Sequence, residues 1–265
     1  MILIIDLSYA IFFKFYSIKS YLKISHREDV ELSLSDETFK DMYVKTFKDS
    51  IQKLCRKFKP KKLIFAMDCP RCNIWRTEIM PTYKDRKKMA DFDERTFPLI
   101  INEVVPQLKI ELLDFKYRRK ILPIEVHCIQ HERAEADDLV YIYARHAHSD
   151  EEKIIITGDN DYLQLLDDKT EIYDLKLKPL RDKSLGSNDK DILLKVLGGD
   201  PSDNIAKLMT KKRAIEYINE TSIEDIYRTY ESNDKFINNM NMVNMVNIPE
   251  DIIREVKSML CAGSI

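Results

Sequence analysis

Short apolar runs separated by longer amphipathic segments dominate the pattern of hydrophobic and polar positions along the chain. Four of these runs are rich in β-branched or aromatic residues and have the length of a strand: 1–5, 63–67, 124–129 and 153–157. Between the first two, apolar residues recur every three to five positions over 38–58, which predicts a helix ending at the Lys59-Pro60 breaker. This alternation predicts a parallel sheet whose strands are connected by helices.

Beyond the second predicted strand the pattern becomes increasingly helical. Residues 99–117 are helix-like, although Pro106 predicts a kink or two shorter pieces. From Asp189 onward the pattern is helical almost throughout, interrupted at Gly198-Gly199 and by the Asn- and Met-rich stretch 238–247. We therefore expect an α/β protein with a central, mostly parallel sheet flanked by helices, divided into an α/β body over 1–180 and a helical C-terminal part over 181–265.

Acidic residues follow three of the four predicted strands. Asp6, Asp68 and Asp159 each come at a strand's carboxyl end, which is where open parallel sheets bind ligands. Any one of them could be an ordinary turn residue, because the chain has 45 acids, but the repetition is harder to explain in that way. Further acids cluster nearby in the sequence, some of which could serve only to stabilise a helix start: Glu135, Asp137, Asp138, Asp161, Asp200 and Asp203.

So many carboxylates require cations if they share one site, because like charges a few ångströms apart would otherwise force protonation. Hard divalent ions with oxygen ligands, Mg²⁺ or Mn²⁺, match this chemistry. Zinc does not: Cys69 and Cys72 form a lone C-x-x-C, and His146 and His148 are two residues apart on a predicted helix and face different directions.

A basic segment follows the second predicted strand. Residues 69–88 contain six cations and two acids, with Trp75 and Tyr83 interleaved. Basic residues with aromatic neighbours are typical of single-stranded nucleic acid binding, although a solvated basic loop would give the same composition. Its position beside an acidic edge favours phosphodiester hydrolysis, which needs metal ions and cations that hold the phosphate.

Composition narrows the class of protein. The 265 residues carry 43 Lys and Arg against 45 Asp and Glu, so the net charge of −2 gives no overall preference for nucleic acid or membrane. The apolar start ends after five residues, no stretch is long enough for a membrane span, and five cysteines form no regular framework. We expect an intracellular protein with reduced thiols. No phosphate-binding GxxxxGK loop occurs, which disfavours kinases and nucleotide-driven motors.

The order and spacing of these motifs resemble the flap endonuclease and 5′ nuclease family, particularly its bacteriophage-type members, which include the phage ribonuclease H. The resemblance extends along nearly the whole chain and rests on Ile4-Ile5-Asp6, Phe65-Ala66-Met67-Asp68, Trp75-Arg76 with Tyr83-Lys84, Glu135-Ala136-Asp137-Asp138, the stretch 157–165 and the stretch 199–205. Residues 247–252 are similar to a late segment of the same family.

The resemblance implies a PIN-like 5′ nuclease fold with a helical arch over 70–95. It implies a 5′-3′ exonuclease or flap endonuclease with RNase H activity, acting at 5′ ends, flaps or RNA primers during replication or repair by two-metal hydrolysis with Mg²⁺, for which Mn²⁺ can substitute. The ligands of the first ion would be Asp6, Asp68, Glu135, Asp137 and Asp159, and those near the second Asp161, Asp200 and Asp203. Helix spacing would instead pair Glu135 with Asp138, so both remain candidates.

Several cations are assigned by the same resemblance. The expected catalytic residues are Lys84, Arg86 and Lys87, and the expected nucleic-acid-binding residues are Lys14, Arg76, Tyr83, Lys88, Lys211 and Lys212. The chain departs from the family in three places: Lys14 stands one position late, the arch lacks an Asn, and 206–214 contains no Gly. The last departure predicts a degenerate helix-hairpin-helix.

The expected partners are DNA with a 5′ flap or single-stranded 5′ end, RNA–DNA hybrids, and replication proteins such as a single-strand-binding protein or a sliding clamp. The protein is expected to be a monomer without membrane contact, located in the cytoplasm or nucleoid of a host cell if its source is a phage. Two alternatives stay open. A PIN-type ribonuclease would not need the paired arch motifs, and a silent DNA-junction binder would not need its acids, all of which are present.

Overall fold

A five-stranded parallel sheet forms the centre of the protein. The computed structural model describes residues 1–27, 29–85, 91–118 and 120–261. In chain order the strands are β1 (Ile2–Asp6), β2 (Lys62–Met67), β3 (Lys116–Tyr117), β4 (Lys120–Ile121), β5 (Glu125–Gln130), β6 (Lys153–Ile156) and β7 (Thr170–Tyr173). The sheet has the order β5-β2-β1-β6-β7 with every neighbouring pair parallel, while β3 and β4 form a separate hairpin. The predicted α/β class is confirmed.

Helices cover both faces of this sheet. They are α1 (Leu7–Ile24), α2 (Glu37–Phe58), α3 (Arg76–Ile79), α4 (Thr96–Leu99), α5 (Val105–Leu113), α6 (Ala136–Ile142), α7 (Asn188–Gly198), α8 (Lys211–Glu220), α9 (Ile223–Tyr230), α10 (Asp234–Val243) and α11 (Glu250–Cys261). In the described part of the chain, no helix combines the length and apolar character that a membrane crossing needs.

Two predicted helices can be compared with the structure. The helix predicted over 38–58 is α2, which starts where the Asp36 side chain accepts a hydrogen bond from the Phe39 amide and ends at Lys59 in a left-handed conformation. The helix predicted over 99–117 was too long. A π-helical turn at 100–104 joins α4 to α5, Pro106 lies in the first turn of α5, and the chain leaves the helix at Leu113 to form the hairpin.

The core alternates across the sheet as strand geometry requires. Leu3 and Ile5 of β1 pack with α1, α2 and α5 on one face, whereas Ile2 and Ile4 pack with α6 and α11 on the other. A third cluster joins α7, α8, α9 and α10 to the start of the arch, through Ile74 and Tyr83. The last helix therefore packs against the body, and the four helices before it pack against the arch.

The Asn- and Met-rich stretch continues α10 and then connects it to α11. Asn239 is buried and its amide donates to the carbonyl oxygens of Val196 and Ala206, both at 2.8 Å. Gln164 donates to the Val243 carbonyl at 3.0 Å and accepts from the Met245 amide at 3.1 Å. These polar residues satisfy buried backbone groups, so the stretch has a structural role between the body and the C-terminal helices.

The topology fixes where a ligand can bind. From β1 the chain builds the sheet outward through β2 and β5, and it then returns to the other side of β1 to form β6 and β7. The strand order reverses between β1 and β6, and the crevice at the carboxyl ends of these strands is the usual ligand position in such sheets.

Candidate metal centre

A cavity of roughly 1540 Å³ opens at this crevice. Among the described residues six carboxylates line it, of which Glu94 lies beside the aromatic residues Phe92 and Phe97 in the sequence. We refer to the other five as the inner acidic group: Asp6, Asp68, Glu135, Asp137 and Asp159. Its other wall is aromatic and comes largely from α1, including Tyr9, Phe12 and Phe13. The structure thus brings together, in one cavity, the five acids that the family resemblance assigns to a first metal ion.

Asp6 and Asp68 lie at the ends of β1 and β2. Asp6 caps α1 by accepting from the Tyr9 amide at 2.9 Å, and it also accepts from the hydroxyls of Thr157 at 3.1 Å and Tyr162 at 3.3 Å. Burial and the nearby Asp68 carboxylate raise the pKa of Asp6 to about 7. Burial also raises the pKa of Asp68, although the Ser8 hydroxyl and the Ala136 amide donate to it.

Gly158, which follows β6 and Thr157, lies close against a side chain of α1. A Cβ atom at this position would lie 2.5 Å from the ring of Tyr9, which packs against the backbone here. The glycine therefore allows close approach of α1, and Asp159 follows it directly at the edge of the cavity.

Three neighbouring acids at the start of α6 have different surroundings. Glu135 is the residue before the first turn, and Asp138 accepts from the Glu135 amide at 3.1 Å, which closes a capping box. Oxygens of Glu135, Asp137 and Asp138 lie within 4.8 Å of one another. Burial and the adjacent Asp138 charge raise the pKa of Asp137 well above its ordinary value, and Asp137 lines the cavity, whereas Asp138 does not.

Asp138 instead anchors the base of the arch. Its oxygens accept from Trp75 Nε1 at 2.9 Å and from Arg76 Nη1 and Nη2 at 2.9 and 2.7 Å. Arg76 also donates to Glu135 at 2.9 Å and to the Met242 carbonyl at 3.0 Å. Because the Arg76 side chain is 2% exposed and its charge is paired with Glu135 and Asp138, the structure does not support the predicted contact between Arg76 and nucleic acid.

Tyr83 is also placed differently from its prediction. Its ring packs in the cluster shared with the C-terminal helices and its hydroxyl donates to Glu135 at 3.0 Å. With 5% of the residue exposed, the ring is covered by protein, and the structure does not support the predicted stacking role. Trp75 is buried as well, so both aromatic residues of the basic segment are structural.

Lys84 does reach the acids. Its Nζ lies 2.5 Å from Glu135 Oε1 and 3.9 Å from Asp203 Oδ1. Burial alone would lower the pKa of Lys84, but Glu135 outweighs it and the pKa is raised well above its ordinary value. In the same way burial would raise the pKa of Glu135, but Lys84 and Arg76 hold it below its usual range. Lys84 therefore stays charged at the cavity.

A second set of carboxylates surrounds one lysine. Asp161, Asp200 and Asp203, which we call the outer acidic group, all form ion pairs with Lys195 of α7, at 3.1 Å for Asp200 and 2.9 Å for Asp203. Burial raises the pKa of Asp161 to about 6, with Lys195 opposing the shift. For Asp200 the cations and Ser202 outweigh burial and lower the pKa to about 2.

The remaining predicted cations have different positions. Lys14 does not line the cavity and lies near Asp49 and Lys53 of α2, so the structure does not support a contact with substrate at the acids. Lys211 and Lys212 are exposed in the first turn of α8. The predicted residues Arg86, Lys87 and Lys88 lie outside the described residues.

Two cations at the site were not among the residues predicted from the sequence. Lys195 holds the outer acidic group, and Lys176 lines the cavity with its Nζ 5.7 Å from the centre of the Phe13 ring. Neither belongs to a motif. Lys195 could have been noticed only because it lies one helical turn before Gly198-Gly199-Asp200. Nothing in the sequence distinguishes Lys176 from other lysines.

The donor set of the inner acidic group suits a hard divalent cation. It offers carboxylate oxygens, and burial raises the pKa values of Asp6, Asp68 and Asp137, with neighbouring carboxylates adding to the effect. Cys69 lines the same cavity, but burial and then Glu135 raise the pKa of its thiol to about 12. The thiolate that a zinc site would use is therefore disfavoured.

The fold is similar to that of known nucleases. The chain superimposes on the bacteriophage T5 5′-exonuclease with divalent metal ions (zinc) bound, with a TM-score of 0.68, 17% identity and 98% of each chain covered. A complex of a bacteriophage T5 flap endonuclease variant with DNA and metal ions superimposes with a TM-score of 0.59 and 14% identity, again over 98% of each chain. At this identity the likeness shows the fold.

The family itself follows from the sequence match. The family described as the 5′-3′ exonuclease, N-terminal resolvase-like domain, matches residues 1–195, which is most of the chain. This range contains the arch and these acids of the two groups: Asp6, Asp68, Glu135, Asp137, Asp159 and Asp161.

 Six of the eight acids thus lie inside the matched range, and Asp200 and Asp203 follow it directly. The predicted family and its nuclease activity are confirmed at this level: the chain belongs to the 5′-3′ exonuclease family.

Proposed function

We propose that this protein is a divalent-metal-dependent 5′ nuclease that hydrolyses phosphodiester bonds in DNA carrying a 5′ flap or a single-stranded 5′ end, and in RNA primers paired with DNA. The observation that carries the proposal is the convergence of five carboxylates and the Lys84 ammonium in one cavity at the carboxyl edge of the sheet. The T5 relatives support it, since one is described with divalent metal ions and another with DNA and metal ions.

The inner acidic group would hold Mg²⁺ or Mn²⁺. Asp6, Asp68 and Asp137 are the best donors, because all three line the cavity and a bound cation would relieve the effect of burial and of neighbouring carboxylates on their ionised forms. Bound ions would supply hydroxide near neutral pH and neutralise charge on the attacking and leaving oxygens. A second ion would bind toward the outer acidic group, where the Lys195 ammonium is its competitor for Asp161, Asp200 and Asp203.

Lys84 would act on the phosphate. Its ammonium lies between Glu135 of the inner group and Asp203 of the outer group, so it is held beside the position where a scissile phosphate meets the acids. A fixed cation there stabilises negative charge that develops on the phosphate oxygens in the transition state. The two hydrogen bonds from Arg76 and Tyr83 to Glu135 keep the acid oriented toward Lys84.

A cleavage assay with defined substrates tests this function. Purified protein is incubated with 5′-labelled flap, nicked and RNA-primed duplexes, in Mg²⁺, in Mn²⁺ and in EDTA. We expect short 5′ products in either metal and none in EDTA, with Lys84→Met lowering the single-turnover rate by about 10²-fold or more. Undiminished cleavage in EDTA would contradict the metal-dependent mechanism, and products released only from 3′ ends would contradict the proposed polarity.

The assembly state and partners complete the proposal. We propose a monomer that meets replication proteins, such as a single-strand-binding protein or a sliding clamp, through its DNA substrate. Light scattering on a size-exclusion column gives the mass to compare with the 31.3 kDa of one chain. A stable dimer would contradict the first part of this proposal, and cleavage rates unaffected by either replication protein would contradict the second.

A further inference from the structure

The turn between α7 and α8 contacts the arch, and one of its side chains bonds to the arch backbone twice. Asn204 lies in this turn, and its amide nitrogen Nδ2 donates to two carbonyl oxygens of the arch, at 2.5 Å to Thr82 and 3.3 Å to Asp85. Thr82 and Asp85 flank Lys84 on either side, and the two bonds close over the short segment that carries this lysine.

Asn204 and the Lys84 that lies between its two partners both have an uncommon backbone conformation. Lys84 has φ 52° and Asn204 has φ 60°, in the left-handed region that non-glycine residues rarely occupy. The Lys84 amide also faces the Asp203 carbonyl oxygen at 3.4 Å. A left-handed lysine persists only where its surroundings hold it, and here the neighbouring turn supplies these contacts.

We propose that Asn204 is a positioning residue that holds the Lys84 ammonium over the two acidic groups. The inference rests on the proposed function, because it assigns to Lys84 the role described above. Asn204 does not contact the reacting atoms in this arrangement. It acts through the backbone of the arch, and it sets where the Lys84 side chain begins.

The chemistry of the position requires asparagine. Two N–H donors on one nitrogen are needed to reach two carbonyls, which an aspartate does not have. Asparagine also tolerates the left-handed conformation better than most residues, and a glycine would tolerate it without offering a donor. Asn204→Asp and Asn204→Gly therefore remove the donors by two different routes, neither of which adds backbone strain.

The contact also links two parts of the protein. The turn that carries Asn204 carries Asp200 and Asp203 of the outer acidic group, and Gly199 lets it fold tightly, since a Cβ there would lie 2.6 Å from the Lys207 amide nitrogen. Asn204 therefore fixes Lys84 relative to the outer acidic group as well as to Glu135. The distance of 3.9 Å between Lys84 Nζ and Asp203 reports this arrangement.

Single-turnover cleavage of a 5′ flap tests the inference by a double-mutant cycle. Asn204→Gly and Asn204→Asp should each lower the rate by roughly 10 to 100-fold with little change in substrate affinity, because a misplaced group costs rate more than binding. In the Lys84→Met background the same substitutions should lower the rate less than about threefold further. Asn247→Ala is the matched control, since Asn247 is exposed and donates to the Met240 carbonyl at 3.1 Å.

Hydrogen exchange provides a readout that does not depend on activity. The peptide that spans 80–85 should exchange faster in Asn204→Gly and Asn204→Asp than in the wild type and Asn247→Ala, with melting temperatures within a few degrees. Unchanged exchange would overturn the inference even if the rates fell. Full additivity with Lys84→Met would also overturn it, by showing that Asn204 acts independently of Lys84.

These results are distinct from failure of the proposed function. If the wild type cleaves no substrate in Mg²⁺ or Mn²⁺, the proposed function fails, while the exchange experiment still decides whether Asn204 holds the arch. If the wild type is active and Lys84→Met cleaves at the same rate, Lys84 has no catalytic role. The proposal that Asn204 positions its ammonium for catalysis is then wrong as well.

Discussion

Two groups of carboxylates lie along the same edge of the sheet and differ in how their charge is balanced. In the inner group the pKa of Asp6 is raised to about 7 by burial and by Asp68, and burial raises that of Asp68 too. In the outer group one ammonium, Lys195, pairs with all three acids, and the pKa of Asp200 falls to about 2 in spite of burial.

The difference shows how a folded protein can carry so many buried acids. The outer group has its own cation, Lys195, which compensates part of the negative charge of its three carboxylates without metal. The inner group has an excess of negative charge, which destabilises the metal-free protein and favours a bound cation by the same amount. We infer that the inner group binds a divalent ion first, and that a second ion must compete with Lys195 for its ligands.

The largest expected effect comes from removing one charge of the inner group. Asp137→Asn should lower the single-turnover rate on a 5′ flap by about 10³-fold or more, because ion-assisted charge stabilisation accounts for several kcal/mol of the barrier. Substrate affinity measured in Ca²⁺ should change little. Asp168→Asn, an exposed aspartate in the loop before β7, is the control. A rate within tenfold of the wild type would remove Asp137 from the metal ligands.

The next effect separates the two groups by stability. Lys195→Met leaves three neighbouring carboxylates without their cation, so the free energy of unfolding in EDTA should fall by about 3 to 5 kcal/mol. Mn²⁺ should restore at least half of the loss, because the ion can take the position of the ammonium. Urea unfolding in both buffers measures this. Lys190→Met on the same helix is the control, since the Lys190 ammonium donates to Asn219 at 3.2 Å in an exposed hydrogen bond. An equal loss in both buffers would show that no ion binds the outer group.

Much of the fold could be predicted because β1, β2 and β6, in the middle of the sheet, are apolar runs that are buried almost throughout. The edge strand β5 was recognised as well, from its apolar and β-branched residues, although Glu125 and Gln130 are exposed. β7 was missed because Thr170–Tyr173 is four residues long and carries a glutamate, which matches an ordinary loop as well as an edge strand. The extent of α5 was overestimated, because nothing local distinguishes Lys116–Tyr117 from a further helical turn.

The candidate site divides in a similar way. Its acids could be predicted, since they follow strands whose ends meet at one edge. The roles of Arg76 and Tyr83 could not, because a cation or aromatic residue in a basic segment looks solvent-exposed until its buried partner is known, and Asp138 is 62 residues from Arg76. Asn204 is 122 residues from Thr82, and Lys195 is 34 from Asp161. Contacts at such separations come from tertiary packing alone.

A smaller effect concerns the pH dependence of the metal-free protein. The pKa of Asp6 is raised from an ordinary value of 3.8 to about 7, so its protonated form stabilises the fold below about pH 4, and this stability is lost as the pH rises through 7. Asp161, with its pKa raised to about 6, acts in the same direction. The melting temperature in EDTA should therefore fall by several degrees from pH 5 to pH 8.

Saturating Mg²⁺ should flatten this profile, because the ion stabilises the ionised carboxylates. Asp6→Asn in EDTA should flatten it as well, which assigns the effect to this residue. A melting temperature that rises with pH in EDTA would contradict the charge excess of the inner group. Asp200 titrates near pH 2 and does not contribute in this range.

The smallest expected effect is on DNA affinity, and it concerns the first turn of α8, which follows the turn that carries Asp200 and Asp203. Lys212 is 89% exposed with a long 4.0 Å ion pair to Glu216, and Lys211 is exposed beside it, so neither side chain holds the fold together. If this turn follows a duplex backbone, Lys212→Ala should reduce the slope of log affinity against log salt by about 0.9, and the double variant with Lys211→Ala by about twice that. Single-turnover rates at saturating protein should stay unchanged, in contrast to every substitution of the two acidic groups. Lys235→Ala on α10 provides an exposed control. A salt slope equal to that of the wild type would show that the duplex does not contact Lys211 and Lys212. The part of the chain around the outer acidic group would then contribute carboxylates but no phosphate contact from α8.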